Sequence, residues 1–407
     1  MLNITYKYKL KPSKAQIQEF DETLETSRQI WNFALKERKD WSASRKSPVD
    51  RCSLFAEYII PADAPYPNYH IQAKNLTQAR KINPNLGKIH SQVGQQILKK
   101  LDESFAQMKS LGNGYPRFKK TGQLKSFVFP QLGKNPLADG KIKLPNFGWV
   151  NLCQSREYPD GFTAKQARIL KKPSGYFVLI TFQLDVDVPE PFPHGKGLGI
   201  DVNLSNFLTT SDKKIVARPK FFDTLKRKLK LLQRRLKNKK KFSNNWWKLQ
   251  NKIAKVHEQI ANARKDFHFK LAHWLCDQGQ MIFCEDLNFK MWAKGMLRKH
   301  TLDAGFGQFF EILKWVCWKR DVFFAKVDTN YTSQECPKCH HIEKKQLSER
   351  VHKCKKCGYE TLRDHAASEI ILQRGLNAVG HTVSENACGD GLTGARELLF
   401  PRLVKSL

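Results

Sequence analysis

The chain has 407 residues, 41% of them hydrophobic, and sets 71 Lys and Arg against 38 Asp and Glu, a formal net charge of +33. That length allows two or three domains with proper cores, and the apolar share excludes wholesale disorder. So basic a surface repels itself unless it meets a polyanion, with nucleic acid the first choice and an anionic membrane the competitor. No apolar run approaches the ~20 residues that span a bilayer. Residues 1–10 carry Lys7 and Lys9 and no apolar signal core, so secretion is not expected.

Asn3 to Leu10 alternates Ile4, Tyr6, Tyr8 and Leu10 with polar residues, which predicts a half-buried strand. Pro12-Ser13 opens a helix, Ser13 and Gln16 being spaced as a capping box, with Ile17, Phe20, Leu24, Trp31 and Leu35 as its apolar stripe. A second helix is predicted over His90 to Leu111, and Pro61 to Pro67 as loop. Residues 11–111 thus read as a small helical domain. From Gly112 the period changes. Tyr115, Arg117, Phe118, Lys119 and Lys120 mix aromatics with bases, as suits nucleic-acid backbone contact and base stacking, or else a solvated basic loop beside a core aromatic. Short strands follow at Ser126–Phe129, Lys141–Leu144, Gly148–Leu152, Ala167–Leu170 and Tyr176–Leu184, punctuated by Gly and Pro as in a small barrel. If the first strand pairs with these, the helical part is an insertion into a β domain.

Beyond the acidic, Pro-rich linker Asp185 to Pro193, Gly197 to Asn203 reads as a buried strand with Asp201 in its middle. A lone desolvated carboxylate is costly, so Asp201 is either hydrogen-bonded or a metal ligand. Phe207–Thr210 and Lys214–Ala217 flank a turn, giving a hairpin. A long helical stretch, Phe221 to Asp277, is broken near Ser243-Asn244-Asn245. Around its Leu seam crowd Lys226, Arg227, Lys230, Arg234, Arg235 and Lys237. Asp and Glu are absent from Lys226 through Lys241, which favours phosphate binding over a merely solvated face. Met281 to Leu287 is a buried strand ending in Glu285 and Asp286; Asp303 to Trp318 is an aromatic-rich helix, and Val322 to Val327 a third buried strand.

Cys336-x-x-Cys339 and Cys354-x-x-Cys357 supply four thiolates in two half-sites, the spacing of a tetrahedral structural Zn²⁺ site. Cysteines at this spacing can also form disulfides, a pairing that a non-secreted chain disfavours. Cys52, Cys153, Cys276, Cys284, Cys317 and Cys388 are scattered and read as buried thiols of a reducing compartment. Asp364 follows the knuckle and precedes the helical run Ala366 to Leu372. On its own it is a helix cap or a solvated acid. The Gly-rich stretch from Arg374, with Gly389, Gly391 and Gly394, reads as flexible. Asp201, Glu285 and Asp364 form the natural trio at one edge of an α/β sheet. Carboxylates forced together repel unless divalent cations sit between them, and hard oxygen ligands favour Mg²⁺ or Mn²⁺. Two such ions support phosphodiester cleavage, so a nuclease is the consistent reading.

In this order the segments resemble the TnpB family of transposon-encoded RNA-guided DNA endonucleases, relatives of type V CRISPR effectors. The resemblance is carried by Tyr8-Lys9-Leu10-Lys11-Pro12, Ser27-Arg28 to Trp31-Asn32, Tyr115-Pro116-Arg117-Phe118-Lys119 and Lys143 to Gly148. It continues through Gly199-Ile200-Asp201, Glu285-Asp286-Leu287, Thr332 to Cys336 and Arg363-Asp364. It implies an α/β plus β-barrel architecture: an RNase H-like RuvC nuclease domain with an inserted zinc ribbon, preceded by a wedge β-barrel that carries a helical recognition insertion. The parts would be wedge strand 1–10, recognition 11–111, wedge remainder 112–190, RuvC 191–329, zinc module 330–360, RuvC end 361–376 and flexible tail 377–407. The resemblance further implies Asp201, Glu285 and Asp364 as catalytic Mg²⁺ (or Mn²⁺) ligands and a guide RNA from the transposon end. Its other implied partners are a double-stranded DNA target beside a short motif and a companion transposase, in prokaryotic cytoplasm at the nucleoid with no membrane. Two departures stand out: Leu362 replaces an Asp of the family's Asp-Arg-Asp-x-Asn-Ala-Ala pattern, and Ala366 its Asn. Rival readings are a nuclease-dead RNA-guided repressor, a transposase or recombinase joining strands at the same acids, and a plain zinc-ribbon DNA-binding protein.

Overall fold

The structure, a computed structural model, describes residues 1–46, 60–61, 63–346 and 349–380. Cys52, Cys388 and the glycines Gly389, Gly391 and Gly394 lie outside the described residues. The chain divides into two compact units at Val188/Pro189.

The first unit is built on β1 (Leu2–Lys11), whose inward residues Ile4, Tyr6, Tyr8 and Leu10 are all buried. β1 pairs antiparallel with two strands far along the chain, so everything between it and β2 is an insertion. The strands β2 (Ser126–Phe129), β3 (Leu137–Ala138), β4 (Lys141–Leu144), β5 (Gly148–Cys153), β6 (Thr163–Lys172) and β7 (Gly175–Leu184) complete a seven-stranded antiparallel sheet ordered β2-β6-β7-β1-β5-β4-β3. The strands expected as a small barrel form a half-barrel sheet, in which β2 and β3 end the order without pairing to each other. β3, only two residues long, is too short to leave a periodic signal.

The inserted helices are α1 (Lys14–Ser44), α2 (Tyr69–Ile82), α3 (Pro84–Lys88) and α4 (Ser91–Leu111). The Ser13/Gln16 capping box forms, and the Gln16 side chain also donates to the carbonyls of Phe147 and Trp149, fastening α1 to β5. Phe20, Leu24, Trp31 and Leu35 of α1 join the sheet residues in one continuous core. At its polar node the buried Arg38 guanidinium donates to Asp102 at 3.0 Å and Gln72 at 3.1 Å, as a buried charge must.

The second unit holds a five-stranded sheet ordered β10-β9-β8-β11-β12: β8 (Gly197–Val202), β9 (Leu208–Thr210), β10 (Ile215–Val216), β11 (Met281–Glu285) and β12 (Phe323–Val327). β8, β11 and β12 run parallel, while β9 and β10 form the expected hairpin. Parallel strands need crossovers, here α5 (Phe221–Lys237), α6 (Asn244–Gln278), the short α7 (Phe289–Trp292) and α8 (Arg298–Ala304), and α9 (Phe306–Lys319). Ser243 caps α6 by accepting from the Trp246 amide. The helix read over Asp303 to Trp318 is two elements, because Gly305 adopts a left-handed φ of +68° between α8 and α9. β13 (Val351–Lys353) and β14 (Glu360–Leu362) form a separate ribbon leading into α10 (Arg363–Ala378). The stretch from Arg374 read as flexible, and the tail boundary at 377, are corrected: α10 continues to Ala378, with Leu376 buried against Phe283.

Candidate metal centres

The four cysteines converge. Their Sγ atoms all lie within 4.8 Å of one another, Cys336 3.6 Å from Cys357 and Cys339 3.5 Å from Cys354. A Zn–S bond of ~2.3 Å places tetrahedral sulfur neighbours ~3.8 Å apart, so the spacing fits zinc. Each half-site is a tight turn: the His340 amide donates to Cys336 O, and the Gly358 amide to Cys354 O. The amides of Cys357 and Lys356 stabilise the Cys354 thiolate and, with the neighbouring thiols, bring it down to about 6. The module is fastened along α10: Gln373 donates to Pro337 O at 2.9 Å, and Tyr359 Oη to Glu369 at 2.8 Å. The knuckle thereby holds the helix that begins with Arg363 and Asp364.

The acidic trio is assembled from three elements. β8 and β11 are in register at Ile200 and Cys284, so the next residues, Asp201 and Glu285, emerge side by side at the strands' carboxyl ends. Asp201 is thus near the strand's end rather than its middle. α10 delivers Asp364 in its first turn by lying directly on β8. Gly199 makes that approach possible: a Cβ there would stand 2.1 Å from Ser368 O. Burial first, then the charges of Glu285 and Asp364, push the Asp201 carboxyl well above its usual range. Burial likewise raises Glu285, partly offset by the Thr332 hydroxyl and the Arg374 charge. Thr332 Oγ1 donates to Glu285, and Asn203 Nδ2 donates to Asp364 at 2.9 Å. Arg374 donates to the carbonyls of Asp328 and Asn330, pinning the loop that carries Thr332. Among the described residues, Cys336, Cys339, Cys354 and Cys357 are the group whose ligand atoms gather within 4.8 Å, while the carboxylates are near enough for Glu285 and Asp364 to act electrostatically on Asp201.

Sequence reasoning singled out neither Asn203 nor Arg374. Asn203 was legible only as part of the Asp201-Val202-Asn203 run, and Thr332 only inside the segment before the first cysteine. Arg363 precedes Asp364, and its charge partly relieves Asp201.

The candidate nucleic-acid residues fall into two groups. In the first unit Tyr115 and Phe118 are exposed, their rings against Phe105 and under Lys39 respectively. Lys119 is less free than expected: its ammonium lies 4.1 Å from the Trp31 ring centre and its backbone is clamped by Asn32 and Arg28. Arg117 and Lys120 remain exposed. In the second unit Leu229 and Leu232 bury α5 against α6, leaving Arg227, Lys230, Arg234, Arg235 and Lys237 exposed; Lys226 alone of the six is paired, with Asp223.

Three family models match in succession: a helix-turn-helix domain associated with OrfB_IS605 over residues 1–47, the OrfB_IS605 "Probable transposase" over 181–295, and the Cas12f1-like TNB domain over 306–371. The second holds Asp201 and Glu285, and the third all four cysteines and Asp364. A protein of Escherichia coli (strain K12), provisionally named RNA-guided DNA endonuclease InsQ, is 28% identical over 81% of this chain and 82% of its own length. A Streptomyces pristinaespiralis protein, provisionally named RNA-guided DNA endonuclease, is 25% identical over 96% and 92%. Along most of its length the chain is similar to the TnpB family. The segment matched as a helix-turn-helix is, in this chain, the strand β1 followed by the single helix α1. Its fold is similar to that of Cas12f1 in a complex with sgRNA and target DNA, with a TM-score of 0.52 at 14% identity over 87% of this chain and 82% of the other.

Proposed function

We propose that this protein is an RNA-guided DNA endonuclease whose phosphodiester hydrolysis is carried by Asp201, Glu285 and Asp364. The observation behind this reading is the meeting of three carboxylates from β8, β11 and α10, two of them held above their usual range by burial. Such a group binds hard cations in preference to protons near neutral pH. Bound Mg²⁺ or Mn²⁺ would supply an activated water and stabilise charge on the phosphate oxygens. The chain's own part is positioning. Thr332 orients Glu285, Asn203 orients Asp364, and the packing of α10 on β8 sets the third acid against the first. The exposed bases of α5 and the Tyr115–Lys120 loop hold nucleic-acid backbone, while a guide RNA supplies sequence by pairing and a short duplex motif is read beside the target. The transposase companion and nucleoid location belong to the same reading. Where the family pattern has an Asn this chain has Ala366, and the amide that reaches Asp364 comes from Asn203 just past β8.

The test is plasmid cleavage by the full chain with its co-purified RNA and Mg²⁺. The parent is expected to make breaks at a guide-matched site, and Asp201→Ala to retain RNA and DNA binding without cutting. A variant that cuts at the parent's rate removes the assigned site; binding without cutting by the parent supports a repressor. Ligated products instead of 5′-phosphate ends support strand transfer.

A further inference from the structure

Beside the carboxylates lies a cleft of about 770 Å³ that the trio does not use. Its walls come from the turn after β8, from Arg218 after β10, from α7 and α8, and from Arg350 and Arg363 near the ribbon. One wall is shared with the candidate centre: Asn203 lines the cleft and also donates to Asp364. What enters the cleft therefore sits next to the acids.

Three features define its chemistry. Arg218, Arg350 and Arg363 line it, and no Asp or Glu does. The Arg218 Nε and Nη1 atoms are buried with no acceptor; Asp303 is near enough to feel the guanidinium, yet no carboxylate accepts from either atom. A buried donor left unpaired is costly, and a guanidinium answers best to a phosphate or carboxylate. The remaining wall is apolar. The Trp292 indole is braced edge-on by Phe289 and Phe306, while Met291, Met296 and Leu297 stand in water, Met296 fully. Exposed apolar side chains beside the unpaired donors of Arg218 fit a ligand with a flat apolar face and an anion. The volume falls within the ~300–1,000 Å³ usual for ligand pockets, ample for a single nucleotide.

We infer that this cleft is a subsite for one unstacked nucleotide of the DNA strand being cut, next to the bond presented to the carboxylates. Its base lies against Trp292 and the neighbouring Met and Leu side chains, and its phosphate accepts from Arg218. The inference rests on the nuclease reading and deepens it. A base can reach the indole only after leaving its stack, so the cleft admits an unpaired strand and refuses duplex. It also sets the register, because the seated nucleotide fixes which neighbouring phosphodiester meets the acids.

The test uses the full chain with its RNA and a target carrying one abasic site, moved nucleotide by nucleotide across the cut. One position is expected to slow cleavage by about 5- to 150-fold, the range of a lost base–aromatic stack. Trp292→Ala should cost the same on the intact strand and nothing more on that abasic strand; Trp292→Phe should restore most of the rate. In the parent, 2-aminopurine at that position should lose fluorescence on binding, and less so in Trp292→Ala. Arg218→Gln should weaken binding of the unpaired strand. If Trp292→Ala fails to fold, the abasic and 2-aminopurine series in the parent decide. A flat abasic series, or losses that multiply between variant and abasic strand, overturns the subsite alone. A parent that cuts nothing overturns the nuclease reading and the subsite together.

Discussion

The four thiols, grouped closely enough to hold a metal ion, and the three carboxylates proposed as metal ligands are built in opposite ways. The thiols come from one short stretch, each pair set by a tight turn, and already stand at nearly the spacing of zinc–sulfur geometry. The carboxylates come from residues 201, 285 and 364, and those of Glu285 and Asp364 burden Asp201 electrostatically. A soft, closed site is made by local chain geometry. A hard, open one depends on the register of β8 with β11 and on the close seat of α10, so tertiary packing must pay for its repulsion. The two are also linked, since the knuckle is fastened along the helix that carries Asp364.

The largest effect expected, after the loss of cutting in Asp201→Ala, is from breaking the closed site. Cys354→Ser should release zinc, seen by metal analysis, and melt the β13–β14 ribbon; structural zinc contributes ~10–16 kcal/mol in small zinc modules. If Asp364 depends on the knuckle, cleavage falls too. Full cleavage by a zinc-free protein would separate the two sites.

A smaller effect tests the open site's supports. Thr332→Val and Asn203→Ala each remove a hydrogen bond to a proposed ligand carboxylate, and partners of this kind are worth ~10–100-fold in metal affinity or activity. Titration of cleavage against Mg²⁺ should move to higher concentration. An unchanged titration means that these bonds are not oriented toward a metal.

The smallest effect is on stability. Asp201 has a folded-state pKa raised above its unfolded value, so the folded state binds more protons and stability falls as pH rises through the carboxylate range. The penalty is fully present above the folded pKa and absent below about pH 4. Asp201→Asn should therefore raise the metal-free melting temperature at pH 7, at ~2–4 °C per kcal/mol relieved. Mg²⁺ should then stabilise the parent but not the variant and close the gap. A gap that persists at pH 3.5, or that Mg²⁺ leaves untouched, points to a cause other than carboxylate repulsion.

Much of this was legible because it is written in short periods. The alternation in β1, the Ser13/Gln16 box, the Ser243 break and the two Cys-x-x-Cys pairs are each decided within a few residues, where backbone geometry leaves little choice. What escaped was decided at a distance. The run of α10 to Ala378 goes with the packing of Leu376 against Phe283, and the open edges of the first sheet are set by which distant strands pair. The role of Lys119 changed for the same reason, once its ammonium met Trp31.

Sequence alone determined the elements, the charge and the identity of the chemically able side chains, because helices, strands and knuckles are local solutions of the backbone. Only the tertiary structure brought Asn203 to Asp364, Thr332 to Glu285 and three arginines around an apolar cleft, because Coulomb and hydrogen-bond energies act across space and fall away within a few ångströms.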